Sequence, residues 1–141
     1  MIAIEELIPH RPPFLLVSEI VELDPAVSAR GRWRLTGEEA FFAGHFPGAP
    51  VLPGVFMVES LAQLAAATVL ADERYRDRLP LFGGIDRARF RRQVVPGETL
   101  ELEVTIRRLS ARAGSGRGRA SVGGELACEA EMFFVLAPRS L

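Results

Sequence analysis

One long apolar run in the middle of the chain sets what this sequence can fold into. From residue 54 to about residue 71 the side chains are mostly Val, Leu, Met and Ala. The few polar ones are Glu59, Ser60, Gln63 and Thr68. Pro53 precedes the run, and because proline has no N–H it suits the first position of a helix. A helix that is apolar on nearly every side must be buried. Its roughly 18 residues, at about 1.5 Å each, would span a small domain.

Strand patterns flank this predicted helix. Residues 99–108 alternate apolar and polar side chains, and that period of two predicts a strand with one solvent-facing side. Other strands are predicted at 14–23, 29–35, 81–91, 119–127 and 128–137. Irregular structure is predicted as short helical turns at 4–8 and 38–42, a Gly/Pro-rich loop at 43–53, turns at 24–25 and 112–118, and a bulge or kink at 123–124.

These elements predict an α+β fold, in which a strongly curved antiparallel sheet wraps one central helix. The 141 residues suit a single domain, 1–141. A helix that needs apolar cover on every side is not fully enclosed by one sheet. A second subunit could supply the remaining cover.

Composition excludes several classes of function. The net charge of -1 disfavours general nucleic-acid binding. All 17 basic residues are Arg, so no lysine Schiff base can form. The start of the chain lacks the pattern of a secretory signal, and no apolar stretch is long enough to span a membrane without interruption. We therefore expect a cytoplasmic protein that is not membrane-bound.

Glu59 is the first candidate for chemistry. It lies in the middle of the apolar helix, where an ionised carboxylate without a partner is costly and tends to take up a proton. A carboxylic acid that stays neutral is a useful general acid. Gln63, four residues on and hence on the same face, could orient it by a hydrogen bond. The alternative is that Glu59 simply reaches the surface.

His45 and the start of the helix are the second and third candidates. His45 lies in a loop flanked by Gly and Pro, which can fix a side chain in a cleft, and histidine is the usual general base near neutral pH. Gly54 opens the helix with an accessible N–H, which suits an oxyanion site. The alternatives are a surface histidine and an ordinary proline-initiated helix. A base, an acid and an oxyanion site are the groups needed to remove water from a 3-hydroxyacyl thioester.

The segment from Gly44 to Gln63, GHFPGAPVLPGVFMVESLAQ, resembles the signature of FabZ-type 3-hydroxyacyl-acyl-carrier-protein dehydratases. Two flanking segments resemble the same family, IPHRPPFLLV at 8–17 and GIDRARFRRQVVPGE at 84–98. The resemblance implies a hot-dog fold and a homodimer, often assembled into a trimer of dimers. It also implies a site at the dimer interface, where His45 of one subunit faces Glu59 of the other.

The resemblance further implies that the N–H groups at Gly54 and Val55 bind the thioester carbonyl and that the acyl chain enters an apolar tunnel. The substrate would arrive on the phosphopantetheine arm of an acyl carrier protein. A sister branch of the family, which also isomerises the double bond, usually has Asp at the position of Glu59. Glu59 therefore favours dehydration without isomerisation, in fatty-acid or related acyl-chain biosynthesis.

Several other residues have weaker assignments. Phe82 and Phe90 are candidates to line or gate the tunnel, or to belong to the core. His10 and Arg11 are expected to have a structural role. Cys128, the only cysteine, is expected to be a small core residue. Two His and one Cys far apart make no zinc pattern, so we expect no metal and no organic cofactor.

Arginine is concentrated in the second half of the chain. Residues 82–119 contain nine Arg and four acidic residues, a balance of +5. We hypothesise that part of this basic surface docks the acidic carrier protein, with candidates Arg87, Arg89, Arg91 and Arg92. The alternative is a solvated strand face.

Two other functions fit the same residues. One is a hot-dog acyl thioesterase, which would activate water at the carbonyl. The other is a non-catalytic module that binds an acyl chain or a carrier protein. His45 in its Pro/Gly-fixed loop fits C2 proton abstraction better than hydrolysis, and the intact pair of His45 and Glu59 argues against the binding module.

Overall fold

The computed structural model describes residues 3–139. One α-helix, α1 (Gly54–Leu70), packs against one antiparallel sheet. The strands are β1 (Glu19–Asp24), β2 (Ser28–Arg34), β3 (Arg78–Phe90), β4 (Thr99–Leu109), β5 (Ala113–Val122) and β6 (Glu125–Pro138). Three short 3₁₀ helices are Ile4–Glu6, Ala40–Ala43 and Glu73–Tyr75.

The sheet has the order β1-β2-β4-β5-β6-β3 and curves around α1, which is the arrangement of the hot-dog fold. The predicted α+β fold is therefore confirmed. No helix among residues 3–139 combines the length and the apolarity needed to cross a bilayer.

The core lies between the helix and the inner face of the sheet. Leu61 and Leu64 of α1 are fully buried, as is Leu100 of β4. Along β4 the buried apolar side chains alternate with exposed polar ones, as the period of two predicted. Burial of these apolar side chains, each stabilising by roughly 2 kcal/mol, holds the helix in the sheet.

The prediction of a turn at 112–118 is wrong, because β5 begins at Ala113. The glycines of β5 let neighbouring side chains pack close to the strand backbone. A Cβ on Gly118 would lie 3.0 Å from Cβ of Leu61, and one on Gly114 would lie 2.6 Å from the ring of Phe134. The predicted bulge at Gly123–Gly124 is instead the two-residue turn between β5 and β6, with positive φ at both glycines.

Two predictions near the helix also need correction. Pro53 is the N-cap of α1, with extended ψ, and Gly54 is the first helical residue. The strand predicted at 14–23 begins only at Glu19. Residues 9–18, here called the strap, instead run along α1, where polar side chains of the helix bond to the strap backbone.

Candidate active site

Glu59 lies in the first half of α1 and opens on a cavity of about 240 Å³. Its side chain is 20% exposed. The cavity wall is mostly apolar and includes Phe14, Ala62, Ala66, Phe82 and Phe134. The carboxyl is therefore the polar end of an apolar pocket and is largely shielded from solvent.

Gln63 fixes the position of this carboxyl. It is 1% exposed, and its Nε2 donates to Oε2 of Glu59 at 2.9 Å. The same Nε2 donates to the Phe14 carbonyl at 2.8 Å, while Oε1 accepts from the Leu16 N–H at 2.7 Å. All of the hydrogen-bonding groups of the amide are thus used. The hydrogen bond between Gln63 and Glu59 is thus present, and an orienting role in catalysis stays a prediction.

His45 lies in the loop before α1, and the hydrogen bond of its ring determines its tautomer. Nδ1 is 2.8 Å from the Val51 carbonyl oxygen, which can only accept, so Nδ1 donates. In the neutral ring Nε2 is then unprotonated, which is the form that a general base requires. The ring also stacks on Phe46, with a centroid distance of 4.0 Å.

The first N–H groups of α1 lie beside His45. No side chain caps this end, and the Gly54 and Val55 N–H groups make no hydrogen bond within residues 3–139. Gly54 lines the same surface pocket as His45 and Phe90. A Cβ on Gly54 would lie 2.8 Å from the Phe90 ring, so glycine is needed for this contact. The free N–H groups and the positive end of the helix can stabilise a developing oxyanion.

His45 and Glu59 open on different cavities of a single chain. The pocket of His45 is lined by residues around the start of α1, and Glu59 is not among them. The cavity of Glu59 runs under β3 and β6 and does not include His45. One chain therefore does not bring the two residues together in a shared cavity.

The surface between these cavities is unusually apolar. β3 lies at the edge of the sheet, and four of its apolar side chains are 43–51% exposed: Leu81, Phe82, Ile85 and Phe90. Val55 is 66% exposed at the start of α1. An exposed apolar edge strand is typical of a protein–protein interface. Phe82 and Phe90 are thus outside the core of this chain, and each lines one of the two cavities.

The predicted docking arginines differ in whether carboxylates of the same chain already bind them. Arg92 binds both carboxylate oxygens of Glu98 at 2.9 and 2.7 Å and also reaches Glu125 at 3.1 Å. This bonding raises the pKa of Arg92, and the Arg92 guanidinium, together with the Val95 N–H, holds the pKa of Glu98 below its ordinary value.

Carboxylates of β6 neutralise two more of these arginines. Arg91 pairs with Glu129 at 3.1 Å, and Arg87 lies 3.8 Å from Glu131. The balance of +5 counted along residues 82–119 omitted these partners, because they come later in the chain. Arg89 forms no ion pair within residues 3–139.

His10, for which the sequence predicts a structural role, lies close to Glu59 in the structure. It lines the cavity of Glu59, with Nε2 3.8 Å from Oε2 of the carboxyl. Its only sequence signal was its place in the segment at 8–17 that resembles the dehydratase family. Arg11, as expected, is structural: its guanidinium donates to the carbonyls of Glu5, Ile8 and His10.

Cys128 is a buried core residue, as expected, and burial raises the pKa of its thiol to about 11. Across the part of the chain that the structure describes, no three His, Cys, Asp or Glu side chains come together in a way that could hold a metal ion.

Comparison with known proteins gives a consistent result. Residues 8–131 match the FabA-like domain family. The chain is 50% identical over 137 residues to the 3-hydroxyacyl-acyl-carrier-protein dehydratase FabZ of Moorella thermoacetica, covering 97% of this chain and 96% of the relative. It is 53% identical over 133 residues to the FabZ dehydratase of Bacillus velezensis, covering 94% of each. A chain of the dehydratase heterocomplex ApeI:P from Xenorhabdus doucetiae shares the fold, with a TM-score of 0.85 over 99% of this chain and 94% of that chain at 16% identity.

Proposed function

This chain belongs to the FabZ-type dehydratases of the FabA-like family, and we propose that it removes water from 3-hydroxyacyl thioesters at a site shared by two subunits. The enzyme is thus a hydro-lyase of fatty-acid or related acyl-chain biosynthesis. The observation that carries the proposed site is the carboxyl of Glu59, held by Gln63 at the polar end of an apolar cavity.

Each reacting group has a defined task in the proposed mechanism. Nε2 of His45 takes a proton from C2 of the substrate, and electron density moves to the thioester carbonyl oxygen. The N–H groups of Gly54 and Val55 donate to that oxygen. Glu59 then gives its proton to the 3-hydroxyl, the C3–O bond breaks, and water leaves the trans-2-enoyl thioester. His45 ends with one extra proton and Glu59 with one fewer, and exchange with solvent restores both.

The separation of His45 and Glu59 in one chain supports a composite site. A twofold dimer through the apolar edge strand β3 would bury Leu81, Phe82 and Ile85. It would also allow the His45 pocket of one subunit to face the Glu59 cavity of its partner. We propose a homodimer as the active unit, with a trimer of dimers as a further assembly.

The substrate side of the proposal follows from the relatives and from the cavity. The relatives are named as dehydratases of carrier-protein-bound 3-hydroxyacyl groups, so we propose that the acyl chain arrives on the phosphopantetheine arm of a carrier protein. The acyl chain then lies in the apolar cavity beyond Glu59, past Phe82, while Phe90 borders the entrance beside His45. We propose no metal and no organic cofactor. The cytoplasmic location stays a prediction.

A direct assay separates dehydration from hydrolysis. The purified protein is incubated with a 3-hydroxyacyl thioester, and the conjugated enoyl thioester is followed by absorbance while free thiol is titrated in parallel. We expect enoyl product without free thiol, and His45→Ala and Glu59→Gln each to lose at least about 100-fold in turnover. Free thiol without enoyl product would indicate a thioesterase, and binding without either product would indicate a non-catalytic module.

A further inference from the structure

The Glu59 carboxyl has two oxygens in unlike surroundings. Oε2 accepts from Gln63 at 2.9 Å and faces Nε2 of His10 at 3.8 Å. Oε1 makes no hydrogen bond within residues 3–139. The terminal torsion of a glutamate side chain is broad, so a single bond to one oxygen leaves the carboxyl free to turn. A second nitrogen at the same oxygen would limit that rotation.

The backbone around His10 is held at both ends. On one side, the Arg11 guanidinium binds the His10 carbonyl at 2.7 Å and the Ile8 carbonyl at 2.8 Å. On the other, Gln63 holds the strap through Phe14 and Leu16. The imidazole is 25% exposed, and its Nδ1 is buried without a hydrogen-bond partner among residues 3–139, so Nε2 is the nitrogen available for an interaction. The distance of 3.8 Å is too long for a hydrogen bond, and a movement of about 1 Å closes it. Such bonds often tighten only when substrate binds.

We infer that His10 is a positioning residue for the proposed reaction. When substrate binds and this distance closes, His10 Nε2–H joins the Gln63 N–H in donating to Oε2 of Glu59, so the acidic proton resides on Oε1. An oxygen that already accepts two N–H groups is a poor place for a proton, because an O–H there would face two donors. Oε1 is then the atom that delivers the proton to the leaving hydroxyl. This inference rests on the proposed role of Glu59 as the general acid.

Two substitutions of similar size test which nitrogen matters. The amide nitrogen of glutamine can occupy the place of Nε2, whereas that of asparagine lies nearer the place of Nδ1. We expect His10→Gln to keep kcat within about threefold of wild type, and His10→Asn to lose about tenfold in kcat with KM changed by less than about twofold. Thermal unfolding of both variants is measured alongside, and His10→Ala, which lacks any donor, should match His10→Asn in kcat.

The outcomes separate this inference from the proposed function. Equal kcat in the Gln and Asn variants, or a loss that follows only the unfolding temperature, would overturn the positioning role. Wild-type kcat in His10→Ala would do the same. Glu59→Gln is assayed in parallel: if it is inactive while every His10 variant is fully active, only the inference fails. If Glu59→Gln is fully active, the proposed acid is wrong.

Discussion

Gln63 donates from one amide nitrogen both to the Glu59 carboxyl, at 2.9 Å, and to the Phe14 carbonyl, at 2.8 Å. The side chain therefore connects the proposed acid to the strap. Because the Gln63 amide is buried and fully bonded, any rotation of it would break a hydrogen bond to the strap. Fold and proposed chemistry thus share one residue.

Replacing Gln63 should therefore reduce both stability and turnover. In Gln63→Leu the Leu16 N–H and the Phe14 carbonyl lose their partner, which should cost about 3 kcal/mol of unfolding free energy, and kcat should fall at least about tenfold. Ser60→Ala is the matched control. It removes one hydrogen bond from the same helix to the same strap, at 2.7 Å to the Leu16 carbonyl, without touching Glu59. Ser60→Ala should lower the free energy of unfolding by about 1 kcal/mol and leave kcat unchanged. Urea unfolding and steady-state assays measure both, and a loss of kcat in Ser60→Ala would show that the strap alone controls turnover.

The sequence predicted what depends on local pattern and missed what depends on distant contacts. The apolar run specified α1 to within a residue, and alternation specified β4. Residues 14–18 of the strap do not form the predicted strand, because the strap backbone bonds to Gln63 and Ser60, almost fifty residues away along the chain. The glycines of β5 looked like a turn because nothing local shows that Leu61 packs against Gly118.

The same contrast between local pattern and distant contacts explains which parts of the candidate site the sequence could predict. Glu59 and Gln63 lie one helical turn apart, so their contact followed from helix geometry alone. The approach of His10 to Glu59, and the pairing of Arg91 with Glu129, depend on how distant segments fold together. Only the resemblance to a family predicted that His45 and Glu59 meet between subunits.

Gly54 should tolerate no side chain. The Cβ of Gly54→Ala would lie 2.8 Å from the Phe90 ring and would displace it from beside His45, so we expect kcat to fall at least about tenfold. Gly44→Ala is the control in the same loop, because the nearest atom to its Cβ is 4.0 Å away and its φ is negative. The kcat of Gly44→Ala should remain within about twofold of the wild-type kcat. The double variant Gly54→Ala/Phe90→Leu should regain activity if the clash is the cause; no recovery would indicate that access to the helix N–H groups is what was lost.

Ala66 should limit how long an acyl chain can be. It lies two helical turns beyond Glu59 on α1 and lines the same cavity. The larger side chain of Ala66→Leu fills that end, so kcat/KM for long-chain 3-hydroxyacyl thioesters should fall at least about tenfold, while a four-carbon substrate should be used nearly as before. A chain-length series measures this. An equal loss at every length would place the acyl chain elsewhere.

Arg89 is the docking arginine to test, because Arg92 is engaged by Glu98 and Glu125. Arg89→Glu should raise KM for a carrier-bound substrate by about tenfold and leave a small thioester analogue nearly unaffected. Arg107→Glu makes the same charge change at an exposed residue of β4, which β5 and β6 separate from β3 in the sheet, and should affect neither substrate. Added salt should weaken the wild-type preference for the carrier-bound form. Equal losses on both substrates would exclude docking at Arg89.

Mixing two inactive variants tests whether the site is shared between subunits. In a heterodimer of His45→Ala and Glu59→Gln chains, one composite site receives His45 from one chain and Glu59 from the other, and the second site receives neither. Random exchange makes half of the dimers mixed, each with one intact site of two, so about a quarter of wild-type activity should return. The chains are mixed under mild denaturant, refolded and assayed, with each variant refolded alone as control.

If both residues of a site came from one chain, no mixed dimer would contain an intact site and activity would stay at the level of the single variants. Native mass spectrometry on the same samples counts the mixed dimers, so a failure to exchange subunits is distinguished from a site within one chain.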